Sequence, residues 1–357
     1  MLLISLKPPE TGRLRALLVC AAALALPAAW AAPVGSALDR PALVSPQAAQ
    51  AVLLGAALAG SRVVAVGERG IVLLSDDAAA HWRQAQVPTS VTLTAVRFVD
   101  AQHGWATGHS GVVLATVDGG ETWVRQLEGK AAAQLVLDEA QARGDAAAVK
   151  NAQRLVADGA DKPLLDLHFF DAQHGIVVGA YNLAFMTEDG GHSWKPWGQH
   201  LDNPKALHLY TVRAQGNTVV IAGEQGLVLQ SQDAGQHFTR LTTPYQGSFF
   251  TAELPAHGEI VLAGLRGNAW RSTDAGTTWL AIAAAAPISF TASALRAGQG
   301  AVLANQGGQL FALRDGTLSL LPGAALPSPA GVLPLTDGRL LALTVRGAIA
   351  VPLGTAP

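Results

Sequence analysis

A short pattern that places a carboxylate between a hydroxyl residue and an aromatic ring recurs along the chain. It reads TVDGGETW at residues 116–123, TEDGGHSW at 187–194 and STDAGTTW at 272–279. A carboxylate held beside small residues and an aromatic is a candidate ligand or acid–base group. Whether these carboxylates have a catalytic role or a structural role in a turn depends on the elements that position them.

The spacing of the pattern also has a mechanical explanation. A carboxylate at a tight turn accepts hydrogen bonds from the backbone N–H groups that follow it, and glycine supplies the positive φ that the turn needs. One copy in every repeat is more than a catalytic centre requires. We therefore predict that the pattern closes a hairpin, and that its residues are structural: Asp77, Asp118, Trp123, Asp189, Trp194, Asp233, Asp274 and Trp279.

Internal repeats predict the architecture. Turns related to VGERG at Val66 to Gly70 return at a period of about 40 residues, and each unit contains short β-branched or aromatic runs separated by turns. Four antiparallel strands per unit are typical of a β-propeller blade. Seven units are present, so we predict an all-β fold, a seven-bladed β-propeller of four-stranded antiparallel blades.

The end of the chain predicts an irregular closure of the ring. The sixth unit keeps only Asp315-Gly316 as a remnant of the carboxylate pattern, and the seventh lacks its outer strand. Because an unpaired blade edge invites association, we expect the segment from Ala51 to Gly60 to complete the seventh blade.

One interval between repeats is about 30 residues longer than the others. This segment is rich in Ala, Leu, Gln and Glu and is interrupted at Gly144-Asp145, which predicts an α-helical hairpin over residues 131–161. Its place in the chain is the connection from the second blade to the third. We therefore expect the hairpin on the face opposite the carboxylate turns.

That opposite face is the predicted protein-binding surface. It collects the turns between second and third strands and the connections between blades, which bring Arg, Tyr and other interface-forming residues to the rim of a rigid scaffold. The candidate binding residues are Arg69, His109, Tyr181, Glu224, Tyr245, Arg266 and Arg346.

The N-terminal segment has the features of an export signal. Lys7, Arg13 and Arg15 precede an apolar run from Ala16 to Trp30, and small residues around position 31 place cleavage before Ala32. We expect residues 1–31 to be a signal peptide and residues 32–357 a single propeller domain, exported to the periplasm. The lone cysteine, Cys20, lies in the signal, so the mature chain forms no disulfide.

Composition narrows the partners. The net charge is −2 and 14% of residues are charged, which gives no basic footprint for nucleic acid. The sequence contains no His-x-x-x-His pair, P-loop or dinucleotide fingerprint, so we expect no metal and no cofactor. We also expect a monomer that is not itself transmembrane once the signal is removed.

Carbohydrate-active enzymes remain an alternative, because sialidases and xyloglucan hydrolases carry the same carboxylate turns. A resemblance to sialidases would imply a six-bladed ring that carries three substrate-binding arginines and a catalytic tyrosine. This chain has seven units, and its only tyrosines are Tyr181, Tyr210 and Tyr245, none of which lies in a recognisable sialidase context. Xyloglucan hydrolases pair two rings around a cleft. We predict no catalytic residues, and keep a glycoside hydrolase or lectin of this propeller type as the competing hypothesis.

The repeats resemble a known family. The pattern S/T-x-D-x-G-x-x-W resembles the Asp-box of bacterial neuraminidase-type (BNR) repeats, and the blade openings VRFVDAQHGW at 96–105 and LHFFDAQHGI at 167–176 resemble those of the photosystem II stability/assembly factor family. In phototrophs this resemblance implies a lumenal, chaperone-like protein that binds new photosystem subunits. It implies here a non-enzymatic assembly or scaffolding factor for a membrane protein complex, which in a non-phototroph could be an exporter.

Overall fold

The computed structural model describes residues 35–352. The predicted signal peptide, residues 1–31, lies outside the described residues. The propeller unit begins at Ala37. Within each blade, sequential strands pair antiparallel to one another. The first strand of a blade therefore lies nearest the centre of the ring and the last strand lies at the rim.

The first four blades are regular. Blade 1 contains β1 (Leu53–Ala59), β2 (Arg62–Gly67), β3 (Val72–Ser75) and β4 (Arg83–Gln84). Blade 2 contains β5 (Leu93–Phe98), β6 (Gly104–Gly108), β7 (Val113–Thr116) and β8 (Val124–Leu127). Blade 3 contains β9 (Leu164–Phe169), β10 (Gly175–Gly179), β11 (Ala184–Thr187) and β12 (Lys195–Pro196). Blade 4 contains β13 (Leu209–Gln215), β14 (Thr218–Gly223), β15 (Val228–Ser231) and β16 (Thr239–Arg240).

The last three blades are less uniform. Blade 5 contains β17 (Phe249–Glu253), β18 (Ile260–Gly264), β19 (Ala269–Ser272) and β20 (Leu280–Ile282). Blade 6 contains β21 (Phe290–Arg296), β22 (Gly300–Asn305), β23 (Leu310–Arg314) and β24 (Thr317–Leu320). Blade 7 contains β25 (Pro329–Pro334), β26 (Leu340–Thr344) and β27 (Gly347–Val351), and no fourth strand among residues 35–352.

The predicted seven-bladed propeller is confirmed. The inner strand of each blade packs beside the inner strand of the next, and β25 packs beside β1 to close the ring. Every inner strand also carries a register shift near its first residue, as between Leu53 and Gly55 or between Phe290 and Ala292. A bulge repeated in all seven blades gives each inner strand the same local twist.

The predicted closure was wrong. The segment from Ala51 to Gly60 does not complete blade 7, because β1 pairs with β2 as the inner strand of blade 1. A two-residue turn joins β1 to β2, so this local pairing forms at low loop-closure cost. The ring closes instead by apolar packing, in which Leu53 and Leu73 of blade 1 share a core with Leu341 and Leu343 of blade 7.

The predicted helical hairpin is present between blades 2 and 3. It consists of α1 (Gly129–Arg143) and α2 (Ala146–Asp158), so it begins two residues before the predicted position 131. The Glu128 carboxylate caps α1 by accepting from the N–H groups of Lys130 and Ala131 at 3.0 and 2.9 Å. Gly144, at a φ of 69°, ends α1. The Asp145 carboxylate caps α2 as Glu128 caps α1, by accepting from the N–H groups of Ala147 and Ala148.

No helix of residues 35–352 is both long enough and apolar enough to cross a bilayer.

Candidate protein-binding face

One face of the ring is formed by the turns between the second and third strands of the blades, and we call it the turn face. In blades 1 to 5 the first residue of each such turn donates its N–H to the segment that enters the same blade: Glu68 to Val52, His109 to Thr92, Ala180 to Pro163, Glu224 to His208 and Leu265 to Ser248, at 2.8 to 3.1 Å. These bonds place the blade-to-blade connections, including the hairpin, on the same face as the turns.

Each of these turns presents a side chain from a left-handed residue. Arg69, Ser110, Tyr181, Gln225 and Arg266 have φ values between 51° and 57°. Left-handed backbone costs a residue with a side chain about 1 kcal/mol or more, and such strain concentrates at functional sites. Four of the five side chains are exposed, Ser110 being half-buried. The turn face therefore carries a ring of strained and outward-pointing residues.

The structure brings two predicted residues, Tyr181 and Glu224, into one polar and aromatic cluster. The backbone N–H of Tyr181 donates to His208 Nδ1 at 2.9 Å, and the two rings meet edge to face at 4.6 Å between centroids. Glu224 accepts from the N–H of His208 at 2.9 Å and from the Tyr210 hydroxyl at 3.4 Å. Because Nδ1 of His208 is an acceptor, its neutral ring carries the proton on Nε2.

The Tyr210 ring continues the cluster toward blade 5. It meets the Phe250 ring at 5.3 Å between centroids. Burial, followed by the Glu224 carboxylate, raises the pKa of the Tyr210 hydroxyl. The hydroxyl therefore stays protonated throughout the neutral range and keeps its single proton available for the bond to Glu224.

The other predicted face residues are separate from this cluster. The Tyr245 hydroxyl donates to the carbonyl of Leu265 at 3.0 Å and ties a blade connection to a turn. Arg69, His109, Arg266 and Arg346 are exposed, and their side chains form no hydrogen bond or ion pair within residues 35–352. The three guanidinium groups and the imidazole are therefore accessible to a partner on the turn face.

A groove of about 530 Å³ separates the helical hairpin from blade 3. Ala140, Ala152 and Leu155 form its apolar floor on the hairpin side, and Tyr181 forms the opposite wall. Lys162 Nζ lies 5.3 Å from the centre of the Tyr181 ring and is also bonded to Asp158 and Asp161, at 3.2 and 2.7 Å. Tyr181 keeps 57% of its surface exposed although it lines the groove.

The sequence reasoning missed a belt of charges across the inner strands of blades 2 to 5. Asp166 is bonded to Arg213, to the Thr211 hydroxyl at 2.9 Å and to the Val212 N–H at 3.1 Å, while Arg97 lies 3.4 Å away. Arg213 also lies 3.9 Å from Glu253. Asp166 and Glu253 keep only 6% of their side-chain surface exposed.

Burial and the arginines set the protonation of this belt. Burial works to raise the pKa of Asp166, but Arg213 and Arg97 hold it below its ordinary value. Burial raises the pKa of Glu253. Burial and the two arginines lower the pKa of His168 to about 4, so this ring is neutral at pH 7. Both carboxylates are committed to internal partners, which does not suit a glycosidase acid–base pair.

A sequence signal for the belt existed. Arg97, His168, Arg213 and Glu253 occupy the same register position, opposite Trp105, Ile176, Val220 and Val261 of the second strands. A titratable residue at one fixed position of the inner strand in four successive blades points to a shared network.

The predicted structural carboxylates lie in the turns between the third and fourth strands. In blade 2 the Asp118 carboxylate accepts from the Thr116 hydroxyl at 2.7 Å, from the Thr122 N–H at 3.0 Å and from the Thr122 hydroxyl at 2.5 Å. The Gly120 N–H donates to Thr116 Oγ1 at 3.0 Å, and Trp123 Nε1 donates to the Gly120 carbonyl at 2.9 Å.

The other copies repeat this arrangement. Asp77, Asp189, Asp233 and Asp274 each accept from the hydroxyl two residues earlier at 2.7 or 2.8 Å and from the N–H four residues later at 2.8 or 2.9 Å. Hydrogen bonds from Ser193 lower the pKa of Asp189 to about 2, and those from Thr278 lower the pKa of Asp274 to about 2. Trp194 and Trp279 are the aromatics of their turns, but unlike Trp123 they have no hydrogen-bond acceptor for the indole N–H among the described residues.

We expect Asp118→Ala to lower the free energy of unfolding by about 2 kcal/mol, because it leaves Thr116 and the Thr122 N–H without their acceptor. Urea unfolding measures the loss, with the exposed helical Asp138→Ala as the control. Burial opposes the shift, yet hydrogen bonds from Thr122 and Thr116 keep the pKa of Asp118 below its ordinary value of 3.8. The contribution is therefore present above pH 3.8 and lost as the pH falls further, so the difference between wild type and variant should narrow in acid. A difference that stays constant down to pH 2 would contradict this role.

No group of three or more His, Cys, Asp and Glu residues in the described part of the chain is arranged to hold a metal ion.

Comparison with known proteins identifies the repeats. The family model described as "Photosynthesis system II assembly factor YCF48" matches residues 74–156 and 145–315. The photosystem II assembly lipoprotein Ycf48 of Synechococcus sp. (strain CC9902) is 36% identical over 77 residues. That match covers 22% of this chain and 23% of the Synechococcus protein, so the chain matches less than a quarter of that relative's length.

Solved structures share the fold. YCF48 from Cyanidioschyzon merolae superposes with a TM-score of 0.64 at 14% identity, over 87% of this chain and 97% of that one. The GH74 xyloglucanase from Xanthomonas campestris gives a TM-score of 0.61 at 14% identity, over 87% of this chain and 53% of the enzyme. At these identities both likenesses establish the propeller and nothing about activity.

Proposed function

The chain belongs to the YCF48 family of photosystem II assembly factors, and on that premise we propose that it is a non-enzymatic assembly or scaffolding factor for a membrane protein complex. We propose further that it is exported, as the N-terminal signal predicts, and that it binds a subunit of that complex through the turn face. The candidate contact residues are those predicted from sequence: Arg69, His109, Tyr181, Glu224, Tyr245, Arg266 and Arg346.

The observation that carries this proposal is the groove between the helical hairpin and blade 3. It combines an apolar floor with an exposed tyrosine and a lysine, which is the composition of an interface centre rather than of a solvated surface. Both walls are preorganised: capped helices on one side, and on the other a Tyr181 backbone that is fixed by His208. A rigid groove loses little conformational entropy on binding.

The competing carbohydrate hypothesis has less support. The two buried carboxylates of the central belt are ion-paired with Arg213, and no free carboxylate pair faces the groove, since Glu139 lies 3.4 Å from Arg143 and Asp158 is bonded to Lys162. The xyloglucanase likeness covers about half of an enzyme that is longer than this ring. We therefore place the function in protein binding.

Groove variants test the proposal. Tyr181→Ala combined with Arg154→Glu removes the exposed ring and reverses a charge on the groove lining, whereas Leu280→Ala combined with Arg240→Glu makes matched changes on exposed outer strands. Mature protein carrying a crosslinker is incubated with membranes of its own source, and captured proteins are identified by mass spectrometry. We expect capture of an integral membrane subunit to fall at least tenfold for the groove variant and to stay within twofold for the control.

Two outcomes would reject the proposal. Equal capture by wild type and groove variant would show that the groove is not the docking site. Saturable binding of a neutral oligosaccharide on a glycan array, with no membrane subunit captured, would favour the carbohydrate hypothesis. Thermal unfolding of both variants must first show that they fold as the wild type does.

A further inference from the structure

A large cavity lies on the opposite face of the ring, between blades 5 and 6, away from the groove to which the proposed function assigns protein binding. The cavity has a volume of about 1130 Å³, and its rim reaches Gly338 of blade 7. Three arginines line it: Arg271, Arg296 and Arg314. The sequence singled out this region only as the place where the carboxylate turn has decayed to Asp315-Gly316.

The cavity exists because a loop is missing. In blade 5 the turn between the third and fourth strands spans residues 273–279, whereas in blade 6 it consists of Asp315 and Gly316 alone. In the regular blades this loop packs against the preceding blade, as when the Gly190 carbonyl accepts from Trp105 and the Gly235 carbonyl accepts from Trp197. The shortened turn of blade 6 leaves the corresponding space open.

The residue beneath the missing loop has also changed character. In blades 1 and 3 the position just before the hydroxyl residue is apolar and lies beneath a glycine of the next blade: a Cβ at Gly120 would lie 3.2 Å from Leu74, and one at Gly235 would lie 3.6 Å from Met186. In blade 5 this position is Arg271, whose Nη1 lies 3.6 Å from a Cβ placed on Gly316. A cation therefore occupies the position at which blades 1 and 3 have Leu74 and Met186.

The arginines keep donors available for a ligand. Arg271 is held by Glu259, which accepts from its Nε at 2.6 Å, while its two terminal nitrogens have no acceptor within residues 35–352. Arg296 and Arg314 form no side-chain hydrogen bond or ion pair with any described residue. The lining carries two carboxylates, Glu259 and Asp315, against three guanidinium groups, so the cavity has a net positive charge.

We propose that this cavity binds an extended acidic peptide segment through its carboxylates. Guanidinium groups recognise carboxylates by paired hydrogen bonds in a fixed planar geometry. The volume exceeds the roughly 300–1,000 Å³ of small-molecule pockets, which suits a chain segment better than a single small anion. Leu320, Leu321, Pro255 and Pro322 offer apolar contacts to the intervening side chains, and the described lining contains no aromatic ring on which a sugar would stack.

Fluorescence anisotropy with a defined probe tests this site. The probe is a fluorescein-labelled peptide of three Gly-Leu-Glu repeats, and the control peptide replaces each Glu with Gln. We expect wild-type protein to bind the Glu peptide at least tenfold more tightly than the Gln peptide, with an affinity that falls as salt is raised. Arg296→Ala combined with Arg314→Ala should weaken binding at least tenfold, while Arg240→Ala, an exposed arginine of blade 4, should change it by less than twofold.

Three results would overturn the proposal. The first is equal binding of the Glu and Gln peptides. The second is wild-type affinity in the double variant, provided that its thermal unfolding matches that of Arg240→Ala. The third is tighter binding of polygalacturonate than of the peptide, which would assign the cavity to an anionic polysaccharide. Because all three arginines lie away from the turn face, Tyr181→Ala combined with Arg154→Glu should leave peptide binding unchanged.

Discussion

Arg213→Met is expected to lower the free energy of unfolding by about 3 kcal/mol, because removing one partner of a buried ion pair leaves an uncompensated charge. Arg213 is the main partner of Asp166, whose side chain is only 6% exposed, and Arg97 at 3.4 Å replaces it poorly. The same substitution frees the buried Glu253 from its nearest cation, at 3.9 Å. Urea unfolding followed by tryptophan fluorescence measures the effect.

Two further variants make this expectation specific to charge. Arg240→Met removes an exposed arginine and should change the free energy of unfolding by less than about 0.5 kcal/mol. Asp166→Asn added to Arg213→Met removes the stranded charge while keeping an acceptor for the Val212 N–H, so it should recover at least half of the loss. A double variant as unstable as Arg213→Met alone would show that arginine packing, rather than charge pairing, holds the belt.

The fold could be predicted from sequence because its signals are local and repeated. The turn from Thr116 to Trp123 contains its own hydrogen-bond network, so the residues that specify it are adjacent in the chain. The start of the hairpin was placed to within two residues, and its break was placed correctly because Gly144 and Asp145 mark a helix end and a helix start. Local chemistry of this kind needs no knowledge of distant contacts.

The parts that sequence reasoning missed depend on which blades face each other. The predicted ring closure was wrong because the segment from Ala51 to Gly60 has strand character that suits blade 1 and blade 7 equally. Only the short turn before Arg62 favours its pairing with β2 in blade 1. The belt was missed because Asp166 and Arg213 are separated by more than a whole blade in sequence and meet only where the inner strands β9 and β13 of neighbouring blades pack together. Likewise, the exposure of Tyr181 beside the hairpin follows from packing between an insertion and a turn.

Glycine occupies the third position of the turn in blades 1, 2, 4 and 5, while blade 3 has Asn182, and Gly226→Ala tests how strongly the turn face depends on this glycine. Gly226 has a φ of 74°, and a Cβ there would overlap the carbonyl oxygen of Tyr245, a candidate binding residue. We expect a loss of about 3 kcal/mol in the free energy of unfolding, since left-handed strain adds to a backbone clash. Binding of the proposed membrane subunit should weaken as well, because Tyr245 must move to relieve the clash.

Gly216→Ala is the matched control, because it isolates the clash from the strain. Gly216 is also left-handed, with a φ of 56°, but no atom lies within 4 Å of the Cβ position. Its substitution should cost only about 1 kcal/mol and leave binding unchanged. If the two alanine variants were equally stable, glycine would be required at position 226 only for its positive φ and not for the close approach of Tyr245. The close approach of the blade 4 turn to the Tyr245 connection would then contribute nothing to the rigidity of the turn face.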